Sequence, residues 1–380
     1  MTAQCSISHR NEDIALKILF VFPPAKASNE IDTFRRMDDV TITTVGAESS
    51  RREVDILLGS FRLPYVGAYD RWAAALAWYL SLDSIIDEIR ASDVVVTYEI
   101  GTVTTTQIGA IASRLGVPSI AVAAQTIIDY PIYRLPPWRQ YVKRNSHRLD
   151  GVICLNERAA ECAINSGVPA DRVHVNAFAI DTDAFYPASQ RTPELTVTFL
   201  GDLRPEKGII DAIAAADIAA PQIGAGFTFR VVGDGPLRDK VAALASTRPW
   251  MEVMGRVART EVPNVLRRSR AVMTASYTRR HSEEQFGFAL VEGMAAGLPV
   301  VSTMCGSIPT VVPPGNFLSP EHDIEGLAAG IVAALDPAAD QVGASNRLHV
   351  LEHYSSKIQA TRLRSLITEI IAGPHRREYL

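Results

Sequence analysis

The sequence predicts an α/β protein made of two parallel-sheet domains in tandem, and three observations carry that prediction. The 380 residues are 47% hydrophobic and 21% charged, enough apolar material for two cores of ordinary domain size. Short continuous apolar runs, each closed by Gly, Pro or polar residues, read as strands buried on both faces. These runs alternate with helical patterns in two series, separated by a polar, Pro-containing stretch.

The first series opens with LKILFVF at 16–22, stopped by Pro23 and Pro24. VDILL at 54–58, DVVVTY at 93–98, SIAVAA at 119–124 and GVICLN at 151–156 repeat the pattern. Between them, DRWAAALAWYLSLDSIIDEIRAS from residue 70 and TTTQIGAIASRLG from residue 104 read as helices. The aromatic side of the first, with Trp72, Trp78 and Tyr79, suits core packing better than an acceptor pocket. IDTDAFYPASQRT at 180–192 loses the periodicity and reads as the interdomain linker. The second series follows: TVTFLG at 196–201, FTFRVVG at 227–233, MEVMG at 251–255, AVMTAS at 271–276 and PVVST at 299–303. Open parallel sheets bind ligands beyond the carboxyl ends of their strands, so two facing sheets would put the site in the cleft between them.

Bulk properties narrow the partners. A net charge of -4 and a pI near 6.1 give no electrostatic case for nucleic acid. Cysteines 5, 154, 162 and 305 lack CxxC spacing and fit a reducing compartment. No apolar leader occupies 1–15, and no window approaches the ~20 apolar residues of a spanning helix. A cytoplasmic protein with at most peripheral membrane contact is expected. YRLPPWRQYVKRNSHR at 133–148 sets Arg139 and Lys143 one helical turn apart beside Trp138 and Tyr141. It is either a solvated helix or a contact for an anionic membrane or acceptor. The eight histidines show no metal-ligand spacing, and His281 is the one beside a loaded loop.

Three junctions of the second series bring chemistry to strand ends. In FLGDLRPEKGIIDAIAAA, 199–216, Gly201 permits a tight turn, Arg204 and Lys207 bring two cations, and Gly208 precedes a helix start. That combination suits phosphate, although an isolated RPEK also describes a solvated loop. FRVVGDGPLRDKV, 229–241, imitates a dinucleotide fingerprint, but Arg238 stands at the third glycine and GDGP breaks the turn. In HSEEQFGFALVEGMAAGLPVV, 281–301, Gly287 ends a loop and a helix from about Phe288 stops near Gly297. Glu284 then sits at the helix mouth and Glu292 one turn inside, with the amides of Phe288, Ala289 and Leu290 free for a phosphate. A capping Glu and a solvent-side Glu would write the same letters.

Taken jointly, GDLRPEKG, VVGDGP, MEVMGRV and EQFGFALVE followed by AAGLPVV resemble the donor half of GT-B glycosyltransferases, specifically the large retaining family 4, also called glycosyl transferases group 1. They stand in family order. The segment 150–187 is similar to that family's last N-domain strand, helix and passage into the donor domain, and AQTIIDYPIYRLPP at 124–137 to its acceptor-facing segment.

The resemblance implies a GT-B fold: an acceptor-side Rossmann-like domain over 1–187, a nucleotide-sugar domain over 188–355, and a C-terminal helix and tail over 356–380 that crosses back. It implies a retaining, metal-independent transfer of a sugar from a nucleotide-diphosphate donor to an acceptor hydroxyl. The departing phosphate would itself take the acceptor proton on the same face. No cofactor is implied beyond the nucleotide sugar, and the acceptor would be a small molecule, lipid or glycan; a homodimer is compatible.

By the same resemblance Glu284, Lys207 and Arg204 are the catalytic candidates, with Arg204 and Lys207 on the diphosphate and Glu284 at the donor sugar. Glu292 would take the ribose hydroxyls. Gly201, Asp202, Gly233, Phe286, Gly287, Phe288, Ala289 and Leu290 complete the donor site, and Met254, Gly255 and Arg256 read the base. Glu99, Gln125 and Tyr130 are acceptor-side candidates.

Two departures stand out: Asp202 replaces the usual arginine, and PPAKASNEID at 23–32 lacks the family's Gly-Gly pair. They keep open a catalytically lapsed binding or scaffold protein; a sugar-nucleotide epimerase or a phosphorylase on the same architecture is the other alternative. Asp181 and Asp183 spell a DxD, but in the linker, where no metal is expected.

Overall fold

The computed structural model describes residues 15–22, 31–47, 54–62, 78–127, 138–190, 194–280 and 282–373. The chain divides into two compact units. One comprises Met1–Ala121, Asn145–Gly151 and Arg364–Leu380, the other Val122–Arg144 and Val152–Leu363.

Strands β1 (Leu16–Val21), β2 (Val40–Ala47), β3 (Ile56–Leu58), β6 (Val94–Tyr98), β7 (Ser119–Ala123), β8 (Gly151–Cys154) and β9 (Val173–Val175) form a sheet in the order β3-β2-β1-β6-β7-β8-β9. β1 pairs in parallel with β2 and β6, and every β1 residue except Lys17 is buried. Leu19, Val21, Val45, Val95, Ile85, Ile89 and Ile108 make the core of this unit. The helix Val103–Leu115 covers it, opened by Thr102, whose hydroxyl accepts the Thr105 N–H at 3.1 Å, and closed by left-handed Gly116.

Every apolar run read as a strand forms one. The helix expected from residue 70 is corrected. Residues 63–77, with Trp72, lie outside the described residues, and Trp78–Leu80 is a strand, β5, antiparallel to β4 (Ser60–Arg62). The Ser81 amide donates to Gly59 at 3.0 Å, and α-helix resumes only at Ile86–Ala91. Consecutive aromatics favour an extended chain once a partner strand satisfies the backbone. β2 was not expected because VTITTVGA alternates Thr with aliphatic residues instead of running apolar. Thr44 within it donates through its amide and hydroxyl to Asp55 at 2.7 Å, and these bonds hold the Asp55 carboxyl below its usual range.

The second sheet runs β12 (Met251–Gly255), β11 (Phe227–Val232), β10 (Leu195–Leu200), β13 (Ala271–Met273), β14 (Val300–Thr303), β15 (Phe317–Ser319), with every pair parallel. Its order reverses between β10 and β13, the switch point at which open α/β sheets leave a crevice. Phe199, Phe229, Val231, Met273 and Val301 are wholly buried in its core. Ala212, Ala215, Ala216 and Ala219 of the helix Ile209–Ile223 are solvent-free and let the helix Ile324–Ala334 pack closely against it.

The helix Ala339–His353 carries a titratable weak point. His349 lies half-buried with its Nε2 unbonded, 4.6 Å in ring separation from His353 and 5.5 Å from Tyr354. Burial, reinforced by the charge of His353, lowers its pKa from 6.5. The unfolded chain therefore binds this proton at higher pH than the folded one, and stability is lost as pH falls from 6.5 through the lower folded value. Melting curves across that window should show the loss, and His349→Phe should flatten it. No described helix is long and apolar enough to cross a membrane.

Candidate functional site

The loop leaving β10 is built around Leu203. Its side chain is fully buried, its N–H donates to the Asp234 carbonyl at 3.0 Å, and its own carbonyl accepts from Leu237 at 3.0 Å. Anchored there, the loop turns Asp202 and Arg204 outward, with side chains 64% and 46% exposed. A 3-10 turn, Pro205–Lys207, ends on Gly208 at φ 68°. A Cβ at Gly208 would stand 1.7 Å from the Ala275 carbonyl oxygen, so only glycine lets this loop press on the end of β13. Gly233 is held likewise against Gly201, and its N–H donates to Gly255 at 2.9 Å.

That approach brings Lys207 to Glu284. Nζ donates to Oε2 at 2.7 Å, the Ser276 hydroxyl donates to the same oxygen at 3.1 Å, and the Gly287 N–H reaches Oε1 at 3.2 Å. Burial works to lower the Lys207 pKa. The charge and hydrogen bond of Glu284, aided by Asp202, outweigh it and leave the pKa raised. Lys207 thus stays an ammonium in the absence of any ligand.

The helix Phe288–Ala295 starts from left-handed Gly287. The Gly287 carbonyl accepts from both Leu290 at 2.9 Å and Val291 at 3.1 Å. Of the three amides expected to be free, Leu290 is therefore corrected: the glycine turn folds its own carbonyl onto it. Among the described residues, Phe288 and Ala289 keep unbonded N–H groups. Phe286 is also corrected in part, because its ring packs with Phe178, Phe288 and Tyr354 at 5.0 to 5.3 Å and is 2% exposed. Only its backbone can meet a ligand.

Glu292 lies inside that helix, 1% exposed. Burial pushes its carboxyl above the usual range, against the pull of Arg259, with which it forms an ion pair. The ion pair is made through Oε1, on which the Arg259 guanidinium sits. Asp202, Arg204, Asp234, Gly235, Pro236 and Arg256 line a pocket of about 400 Å³ at the ends of β10, β11 and β12. Met254 is 42% exposed at the same edge.

Among the acceptor-side candidates, Glu99 is buried at φ 64° and its carbonyl accepts the Thr105 hydroxyl at 2.7 Å. Gln125 Oε1 accepts the Ile127 N–H at 3.0 Å. Tyr130, His281 and nearly all of 23–32 lie outside the described residues. Asp181 uses Oδ1 to accept the N–H groups of Asp183 and Ala184 at 3.2 Å, which gives the DxD carboxylate a turn-forming task. Arg139 and Lys143 are exposed on the helix Trp138–Ser146. Ser276 and Arg259 were missed. Ser276 closes the AVMTAS run, so its place at a strand end was a signal, whereas Arg259 reaches Glu292 only through folding.

Two family models match the chain: "Glycosyl transferases group 1" over residues 194–337 and "Glycosyl transferase 4-like domain" over 32–179, together more than half of it. The chain is 28% identical over 202 residues to the putative colanic acid biosynthesis glycosyltransferase WcaL of Salmonella typhimurium, covering 51% of this chain and 48% of the relative. It is 32% identical over 161 residues to a glycogen synthase of Mycobacterium tuberculosis, 40% of this chain and 36% of that one. The chain thus spans half or less of the length of these curated relatives. Among solved structures, Anabaena Alr3699/HepE in complex with UDP superposes with a TM-score of 0.70 at 16% identity, over 93% of this chain and all of that one. The same protein has been solved with UDP-glucose (TM-score 0.66, 15% identity, 93% of this chain and 100% of that one). At such identity the likeness establishes the fold, two parallel-sheet α/β domains of the GT-B glycosyltransferase type.

Proposed function

This chain belongs to the group 1 glycosyl transferases, and from that membership we propose that it transfers a sugar from a nucleotide-diphosphate donor to an acceptor hydroxyl with retention at the anomeric carbon. One observation supports the reading: the loops leaving β10 and β13, which flank the switch point of the second sheet, meet through the Lys207–Glu284 ion pair. HepE's complexes with UDP and UDP-glucose support a nucleotide-sugar donor.

The chemistry follows from the charges. The leaving group is a pyrophosphate, so the barrier falls chiefly through stabilisation of the negative charge it gains. In this reading Lys207 and Arg204 hold the diphosphate, and the unbonded amides of Phe288 and Ala289 add two donors at a helix start. The Lys207–Glu284 pair is the resting state of the site. Donor phosphate takes over the ammonium and frees Glu284 to hydrogen-bond the donor sugar or face positive charge at its anomeric carbon. Glu292 accepts from the ribose hydroxyls, which two carboxylate oxygens suit. Met254, Gly255 and Arg256 border the base, while Glu99, Gln125 and Tyr130 are proposed for the acceptor. A phosphate oxygen takes the acceptor proton, and no metal is required in this scheme.

Thermal-shift screening of nucleotide sugars, uridine donors first, tests the reading. A donor at a hundredfold its Kd adds about 2.7 kcal/mol of apparent stability. NMR of the product then reads the anomeric configuration, and inversion would exclude the retaining course. Asp202, 3.9 Å from Arg204, sets a negative charge beside the expected dianion. Asp202→Arg should tighten donor binding ~3- to 10-fold by calorimetry. A loss of turnover in that variant would instead give the aspartate its own task.

A further inference from the structure

We propose that Arg158 is a positioning residue that reserves Glu284 for Lys207 by engaging the neighbouring carboxylate, an inference that rests on the functional reading above. Glu283 and Glu284 are consecutive acids with side chains only 5% and 14% exposed. Carboxylates withdrawn from water in this way each call for a cation. Each has one. Arg158 grips Glu283 through Nε to Oε1 at 2.9 Å and Nη2 to Oε2 at 3.0 Å, and Lys207 holds Glu284. A two-point guanidinium fork fixes direction as well as charge, and the Glu283 hydrogen bonds raise the Arg158 pKa.

The backbone of this loop is tied down separately. Asn156 Nδ2 donates to the Gln285 carbonyl at 2.6 Å, and the Ser307 N–H donates to the Glu284 carbonyl at 2.9 Å. A Cβ at Gly306 would meet the Glu284 carbonyl oxygen at 2.2 Å, so this approach too depends on glycine. Removing the Arg158 guanidinium, 43% exposed on its other side, therefore changes the charge balance while leaving these backbone ties in place. Two withdrawn carboxylates then face one ammonium, and Glu283 competes with Glu284 for Lys207.

The test compares Arg158→Ala with the double variant Arg158→Ala, Glu283→Gln, in donor-free crystal structures and in steady-state kinetics. In the single variant Lys207 should move toward Glu283 or be shared, and kcat should fall ~10- to 100-fold as the site loses register. Glu283→Gln removes the competing charge. It should return Lys207 to Glu284 and bring kcat back to within ~3-fold of the starting protein. An Arg158 that merely clamped the loop would gain nothing from that second change. The inference is overturned if Lys207 stays on Glu284 in the single variant, or if the loss of kcat persists in the double. Because the crystal structures need no donor, an inactive starting protein would sink the proposed function and still leave this inference decided by geometry.

Discussion

Lys207→Ala is expected to lower kcat/KM for transfer ~10²- to 10³-fold, the usual cost of deleting one preorganised donor to a charge that grows in the transition state. The ammonium is fixed before donor arrives, by Glu284 at 2.7 Å and by a loop whose Gly208 admits no side chain, so it needs little reorganisation when the diphosphate departs. The variant also strands Glu284, leaving the Ser276 hydroxyl and the Gly287 amide as its partners. Lys207→Arg should recover only part of the loss, because a planar fork does not reproduce a point charge. Steady-state kinetics on the three proteins check the claim. Equal activity in all of them would remove Lys207 from the mechanism.

Glu292→Gln should raise the donor Kd ~10- to 100-fold, the range for losing hydrogen bonds to a charged acceptor. Glutamine keeps the volume but offers one acceptor and one donor where the carboxylate offers two acceptors, so a ribose diol meets a mismatch. Stability without donor should move the other way or hold. Burial raises the Glu292 pKa in spite of its ion pair with Arg259, so the ionised group is a burden to the empty fold. Calorimetry with the donor and thermal melting without it separate the two effects. A variant that binds donor normally but melts far lower would make Glu292 a structural residue.

The parallel strands were legible because a strand buried on both faces writes a continuous apolar run. Where burial is partial the signal changes: β2 alternates threonine with aliphatics, and Trp78–Leu80 satisfies a helical pattern as readily as the strand it forms with Ser60–Arg62. At the site, Lys207 and Glu284 were singled out because each stands in a loop leaving a strand beside the switch point, and Glu292 because the family motif names it. Their partners could not be singled out. Arg259 and Arg158 reach Glu292 and Glu283 across long stretches of chain, and nothing in local spacing encodes such a meeting. The Leu290 amide was misjudged for a related reason: letters do not fix which amide a glycine turn consumes.

A nucleoside diphosphate is expected at the switch point of the second sheet, and a crystal structure with UDP bound reads that directly. It should show the diphosphate within hydrogen-bonding distance of Lys207 and of the Phe288 and Ala289 amides, the ribose hydroxyls on Glu292, and Lys207 released from Glu284. UDP bound elsewhere, with the Lys207–Glu284 pair intact and Glu292 untouched, would contradict it.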